Sequence, residues 1–343
     1  AAEKKSFRDY ARMENVLTEL NQAVLDKFDS VDYKLKPFKN DPQNVGGGVA
    51  VVQLTDAHLN ELIDVPGNRY DFEVASMRMQ KYAHEVKESL QCQNVDKVVI
   101  AMTGDMLNSN RRVSELLAQA TNRISAALLA TQLVQMFITD LASTFEYVEV
   151  AYVSGNESRV EKDFTHLDVE LTNNFDSMIF KTLKMLFKNE TSRVKFIDGG
   201  NVAEFILEIN GKNLLLTHGT FLGNNAAGVT KMYAKWAAKG IIVHYSIFGH
   251  FHSAFITDTF ARSGALCGAN DYSEGLNYSS RASQNIHLFK ENGTIRTYRI
   301  DVQDAEDEGW KGYPIQKEMA EYNAKSATKL YKETAHTIVK IVS

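Results

Sequence analysis

The sequence predicts an α/β fold, with a mainly parallel sheet and a second, antiparallel sheet packed between helices. Three observations carry this. Apolar, β-branched runs at residues 49–54, 98–102 and 148–153 alternate with helical periodicity at 71–90, 110–141 and 159–187. A β-α-β-α-β rhythm of that kind implies right-handed crossovers and parallel neighbours. Further along, residues 205–209 and 212–216 flank Asn210-Gly211, and residues 286–289 and 295–298 flank Glu291-Asn292-Gly293. Asn-Gly favours the positive φ angles of a type I′ turn, so both pairs read as hairpins. A last apolar run at 241–243 reads as one more buried strand.

Residues 1–30 read as helix, with Val16, Leu17, Leu20, Val24, Leu25 and Phe28 on one face. Pro37, Asn40, Asp41, Pro42 and Gly46-Gly47-Gly48 then break the pattern. This divides the chain into an N-terminal helical extension at 1–44, a main domain at 45–301 and a lysine-bearing helical tail at 302–343. The two helical ends are the expected surfaces for a homo-oligomer or a protein partner. Within the main domain, Leu116, Leu117, Ala120, Ile124 and Leu128 read as a core-facing stripe. His84, His166, His244, His287 and His336 sit in ordinary helix or strand patterns and read as packing residues.

A net charge of −5 over 343 residues argues against a long cationic surface for nucleic acid, though not against a local basic cleft. The two cysteines, Cys92 and Cys267, form no CxxC pair, which points to reduced thiols. The longest apolar stretch, near 126–138, is interrupted by Thr131, Gln132 and Gln135, so no membrane span is expected. No signal peptide is visible, and the reading is a cytoplasmic chain, processed or trimmed to begin at Ala1.

Chemistry concentrates in five short motifs that follow the apolar runs. They are Asp56-Ala57-His58, Gly104-Asp105, Gly155-Asn156, His218, and Gly249-His250-Phe251-His252. Their oxygen and imidazole donors suit divalent transition metals. The carboxyl ends of strands in an open α/β sheet face one crevice, so ligands placed there converge. Asp56 and His58, two apart at a strand end, are expected to face one side. Gly104 permits a sharp turn that exposes Asp105, a carboxylate able to bridge cations roughly 3.5–4 Å apart. Singly, Gly-Asp and Gly-Asn mark turns. The weight lies in seven donors arriving in order, each after an expected strand.

This set resembles the calcineurin-like metallophosphoesterases, a superfamily that includes the Mre11-type nucleases. The family pattern is DxH, GDxxN, GNH, a lone His and GHxH. It is met here by Asp56-Ala57-His58, Gly104-Asp105-Met106-Leu107-Asn108, Gly155-Asn156-Glu157-Ser158, His218 and Gly249-His250-Phe251-His252. The resemblance implies a four-layer αββα sandwich, with two mixed sheets flanked by helices. It implies two divalent ions of manganese type, with Mg2+, Fe2+ or Zn2+ as substitutes. Asp56, His58, Asp105 and His252 would hold one ion; Asp105, Asn156, His218 and His250 would hold the other. Such ions offset the charge of a phosphate ester and acidify a bridging water into a nucleophile. The resemblance leans toward the DNA repair exonucleases found in phage genomes, and so toward DNA as the partner and phosphodiester cleavage as the reaction.

One position departs from the pattern. Glu157 stands where the family has the His of GNH, which contacts the scissile phosphate and can protonate the leaving oxygen. A carboxyl serves as that acid only if its pKa is raised, and nearby cations oppose this. Asp105, Asn156 and Glu157 are the candidate catalytic residues. Asn108, Arg111, Arg159, Tyr272 and Arg281 are the candidate substrate contacts, with Arg112 and Tyr278 beside them. DNA binding by a mildly acidic chain needs a basic cleft, and Arg111, Arg112, Arg159 and Arg281 would build it. Two rival readings stand beside the nuclease. A nucleotide, cyclic nucleotide or phosphomonoester substrate would suit a small enclosed pocket. A non-catalytic metal-binding scaffold would explain Glu157.

Overall fold

The β-branched runs form the centre of a six-stranded sheet. In the computed structural model, which describes Leu35 and residues 48–91, 93–160, 172–223, 226–270, 273 and 280–315, four of these strands run parallel. They are β1 (Gly48–Leu54), β4 (Val95–Met102), β5 (Tyr147–Tyr152) and β6 (Val194–Ile197). β12 (Ser283–Phe289) and β13 (Ile295–Asp301) extend the sheet antiparallel beyond β1. A small hairpin, β2 (Ile63–Val65) with β3 (Asn68–Tyr70), follows β1. The expected terminal helices fall mostly outside the described residues, as do Cys92, His166, Tyr272, Tyr278 and His336.

The second sheet has the order β10-β11-β9-β8-β7. Its strands are β7 (Glu204–Ile209), β8 (Lys212–Thr217), β9 (Tyr245–Phe248), β10 (Phe255–Ile256) and β11 (Phe260–Arg262). β7 and β8 form the expected hairpin, with Asn210 and Gly211 at φ 48° and 72°. The sheet as a whole is mixed rather than antiparallel, because β9 pairs parallel with both β8 and β11. The strand expected at 241–243 lies a few residues later, at β9. Ile242 is largely exposed, and residues 241–244 form the link that reaches Asn213, whose backbone exchanges hydrogen bonds with His244.

Alternate residues of each strand face opposite sides, and here they sort into three apolar layers. Ala50, Val52, Leu54, Val98, Ile100 and Met102 pack outward against α1 (Phe72–Leu90), α3 (Arg123–Ala142) and α4 (Phe175–Leu186). Val51, Val99, Ala101 and Ala151 pack inward against Phe205, Leu214, Leu216 and Ile247 of the second sheet. On that sheet's far side, Leu215, Phe248 and Phe260 meet Val229 and Met232 of α5 (Ala226–Ala237). Helices, sheet, sheet and helix make the four-layer αββα sandwich.

The stretch at 110–141, which reads as a long helix or a helix pair, is a pair, α2 (Val113–Leu117) and α3. Asn122 caps α3 by accepting from Ser125 N, as Asp71 caps α1 through Val74 N. The stripe through this region divides between the two. Ala120 is buried, but Leu116 and Leu117 are exposed, because the five-residue α2 sits at the rim of a cavity rather than on the core. α3 is long and apolar enough by composition to cross a membrane, contrary to the sequence expectation, yet most of it is buried against α1, α4 and the sheet.

Phe137 of α3 is fully buried and stacks on Tyr82 of α1 with ring centroids 5.7 Å apart. Phe137→Ala is expected to lower unfolding free energy by about 3–5 kcal/mol. It should appear as a lower urea midpoint with unchanged slope. Leu117→Ala, at an exposed site, should stay within about 0.5 kcal/mol of the parent.

Candidate metal centre

Every expected ligand lies just beyond the carboxyl end of a strand. β1 leads to Asp56 and His58, β4 to Asp105, β5 to Asn156, β8 to His218, and β9 to His250 and His252. Asp56 and His58 are not on the strand itself, so strand alternation is not what aligns them. Both are left-handed, at φ 47° and 44°, and so are Asp105 (56°), His250 (69°) and His252 (55°). Only two other described non-glycine residues, Asn94 and Asn210, share that conformation. Left-handed backbone disfavours L-residues, by roughly 1–3 kcal/mol each at such sites, and persists where surrounding contacts impose it.

Those contacts are visible. Asp56 N donates to Gly104 O at 3.0 Å, His58 N to Asp105 O at 3.1 Å and Leu59 N to Met106 O at 2.9 Å, so the first two ligand loops run side by side. His250 N donates to the Asp56 carboxylate at 3.0 Å. The glycines work mainly by absence of bulk. A Cβ on Gly155 would lie 2.1 Å from Asp105 Oδ1, and one on Gly249 would lie 2.1 Å from Asp56 Oδ2. Gly104 adds a positive φ of 95°.

Sequence reasoning missed the group that joins these loops. Asp176, in the first turn of α4, is buried and accepts three backbone N–H groups. They come from Asp105 at 3.0 Å, Met106 at 3.0 Å and Gly155 at 2.8 Å. Asn174, the α4 cap, accepts from Asp176 N and donates to Gly155 O. Arg123 donates to the carbonyls of Glu157 and Arg159, at 2.8 and 2.6 Å, and so holds the third loop from the other side. Asn174-Phe175-Asp176 carries a helix-start signal, but nothing local in it announces a carboxylate aimed at residues 105 and 155.

The donor atoms fit cations. His218 Nε2 lies 2.9 Å from Asp105 Oδ2 and 3.2 Å from Asn156 Oδ1. His58 Nε2 and His252 Nε2 face each other at 3.3 Å, and His252 Nε2 is 3.5 Å from Asp56 Oδ1. Ligands about 2.1 Å from a common ion stand roughly 3.0–3.4 Å apart at right-angled or tetrahedral geometry. Asp105 belongs to both groups, one with His218 and His250, the other with Asp56 and His58. His218 Nδ1 lies 2.7 Å from Thr103 O, a partner that keeps the proton on Nδ1 and turns Nε2 inward. Asp56, His58, Asp105 and His252 therefore fit one ion, and Asp105, Asn156, His218 and His250 the other.

Electrostatics agree. Burial alone would lift both carboxyls, yet His252 holds Asp56, and His218 holds Asp105, below the ordinary carboxylate range. Burial lowers the His218 imidazole, but the Asp105 charge and hydrogen bond outweigh it and push His218 up to about 10. Burial, with the His218 charge, pushes His250 down to about 4. Two buried acids held below the ordinary carboxylate range present negative charge that a cation in place of the imidazole proton would meet.

The remaining candidates divide. Asn156 and Glu157 both line a cavity of about 610 Å3 over the centre, with Asn108 and Arg112. Glu157 accepts from Arg111 Nη2 and from Asn156 Nδ2, and its backbone N donates to Asp105 Oδ1 at 2.7 Å. Asn156 Oδ1 is thereby left facing His218. Arg159 is buried beneath the loop, and Arg281 is held by Asp301 and Asp304; neither lines the cavity. The packing histidine His287 is buried in β12 between Gln53 and Thr297, with its pKa pushed down to about 3 by burial.

No family model and no curated protein matches the chain. Solved structures similar to it include the calcineurin-like phosphoesterase YfkN from Bacillus subtilis, at 8% identity over 84% of this chain and 100% of that one, TM-score 0.37. A 5′-nucleotidase from Candida albicans matches at 9% identity over 87% of this chain and 60% of its own, TM-score 0.37. Zinc-complexed Vps29 from Entamoeba histolytica matches at 11% identity over 74% of this chain and 99% of its own, TM-score 0.31. Likenesses this low carry no weight of their own; the case for a metal centre lies in the side chains.

Three outcomes follow from the geometry. Ligation must displace the proton that Asp105 holds on His218, so filling the Asp105, Asn156, His218 and His250 position near neutral pH should release about one proton. Calorimetry in buffers of differing ionisation enthalpy reads it, and a buffer-independent heat would contradict it. In the metal-free protein the same pairing stabilises the fold fully below 6.5 and fades as pH rises through about 10. Asp176→Asn replaces one acceptor oxygen by a donor facing backbone N–H groups. It should weaken metal binding by about 10–100-fold, read by competition with a chromophoric chelator.

Proposed function

We propose that the chain is a dinuclear-metal phosphoesterase that hydrolyses phosphodiester bonds of nucleotide-sized substrates. The observation that carries this reading is the convergence of seven donors into two sets sharing Asp105. When bound, two divalent ions supply charge neutralisation and Lewis acidity at a phosphate ester. The chain's own residues supply the rest. Asp105, Asn156 and the histidines fix where a phosphate sits, and the cavity over them lies within the range of roughly 300–1,000 Å3 usual for small-molecule sites.

Glu157 does not take over the acid role of a histidine in this reading. Its Oε1 accepts from both Arg111 and Asn156, so that oxygen acts as an acceptor and not as a donor. Its part is to hold Arg111 and Asn156. Arg111 is half-buried and paired with Glu157, which lines the cavity while Arg111 itself does not. A fixed cation there favours charge developing on a phosphoryl group. A good leaving group needs no separate acid.

A second reading, cleavage at a DNA end, is favoured by one feature. Arg262 lies 5.1 Å over the Phe251 ring and 5.7 Å from that of Phe255, a flat cationic and aromatic edge of the kind that stacks unpaired bases. The four-arginine cleft expected for DNA has no support in the placement of Arg159 and Arg281, neither of which lines the cavity, and this favours small or single-stranded substrates.

The test is turnover of bis(p-nitrophenyl) phosphate, a cyclic nucleotide and end-labelled single-stranded DNA with manganese added. Asp105→Asn should lose at least about 10²–10³-fold in kcat on whichever is cleaved. Glu157→Gln should lose less than about tenfold, whereas removing a true general acid removes about 10²–10⁴-fold. Metal binding with none of these esters cleaved would sink the hydrolase reading and leave a metal-binding scaffold.

A further inference from the structure

One buried side chain beside the centre has no part in the ligand set above. Cys267, in the loop after β11, is fully buried, and its Sγ lies within 4.8 Å of a ring nitrogen of His58 and of His252, which lie within that distance of each other. Its backbone is pinned. The carbonyl accepts from Arg78 Nη1 at 2.8 Å and from Asn68 Nδ2 at 2.9 Å, and the preceding Leu266 carbonyl accepts from Arg78 at 2.9 Å. Leu266 N in turn donates to Asp56 O at 3.1 Å, tying this loop to the first ligand.

Two further observations concern the groups around this thiol. Arg78 is almost completely buried, and its five hydrogen bonds all go to uncharged oxygens. Among the described residues no carboxylate pairs with it, and its Nε is also unpartnered. A buried guanidinium without a counter-charge is costly, and a neighbouring thiolate would offset it. On the other side, His58 Nδ1 is buried with no hydrogen-bond partner. Two imidazole nitrogens and one buried sulfur within 4.8 Å of one another form a softer donor set than the oxygen and nitrogen donors of the other position.

We propose that Cys267 is a thiolate ligand to the ion held by Asp56, His58 and His252, which makes that position select a zinc-class ion over manganese or magnesium. This rests on the two-metal reading. The S–H bond breaks as the metal–sulfur bond forms, the proton leaves to solvent, and no electron changes hands. The two positions are then unlike. The one formed by Asp105, Asn156, His218 and His250 has only oxygen and nitrogen donors and suits manganese or magnesium, whereas sulfur favours zinc, iron or cobalt. A mixed-metal centre is the consequence.

The test is anaerobic titration of the metal-free full chain with Co2+, read by the near-ultraviolet thiolate-to-cobalt charge-transfer band. Wild type and Cys92→Ser should show the band, and Cys267→Ser should lose it with at least roughly tenfold weaker zinc binding. Zinc-edge absorption of the wild-type protein covers the case in which the variant fails to fold. One sulfur scatterer at about 2.3 Å is expected. Cobalt bound without the band, and a zinc shell of nitrogen and oxygen alone, would overturn the role of Cys267 while leaving the two-metal centre standing. Absence of cobalt uptake in the wild type would overturn both.

Discussion

The centre depends on a carboxylate that touches no proposed ligand side chain. Asp176 collects the backbone N–H groups of Asp105, Met106 and Gly155 from two loops that leave adjacent parallel strands. Without it, three buried donors would lack partners, and the loops after β4 and β5 would be left with the bonds from Glu157 N to Asp105 Oδ1 and between Leu107 and Ser158. With it, the Asp105 carboxylate is aimed at His218, and the Asn156 amide is carried alongside. Burial raises the Asp176 carboxyl and the Asp105 charge raises it further, while hydrogen bonds from Gly155 N, the Ser158 hydroxyl and Met106 N oppose the rise. α4 places this residue through its Asn174 cap, which links helix initiation directly to site geometry.

Around that anchor the ligands are held by opposition. Five of them adopt left-handed backbone that they would not choose alone. The neighbouring loops compel it by hydrogen bonding across the crevice, from the Asp56 loop to the Gly104 loop and from His250 to Asp56. Glycines at 155 and 249 leave the room in which carboxylate oxygens approach backbone, and Gly104 leaves room for the Gly155 backbone and the His218 ring. Preorganisation of this sort places donors before a cation arrives, so that binding energy is not spent ordering them.

Much of this was legible in the residues. Periodicity gave the parallel core strands and the helices over them, because β-branched runs buried on both faces differ sharply from amphipathic stretches. Asn210-Gly211 announced its hairpin. The seven donors stood out because each followed a strand. Other parts were not legible for physical reasons. β9 includes Tyr245 and Ser246, whose polar groups find partners only in the folded chain, so the more apolar 241–243 looked the better strand. Leu116 and Leu117 have helical spacing but lie on a helix too short to reach the core. Asp176, Arg123 and Cys267 act on residues far along the chain, and their roles exist only through tertiary proximity. Arg281, attractive as a phosphate contact, is satisfied by Asp301 and Asp304.

The central claim is that Asp105 is shared by two cations. Crystals grown with manganese and zinc, measured by anomalous diffraction at both absorption edges, test it most directly. The account predicts two peaks roughly 3.5–4 Å apart, one on each side of the Asp105 carboxylate. A single peak, or two peaks with Asp105 bound to only one of them, would contradict it.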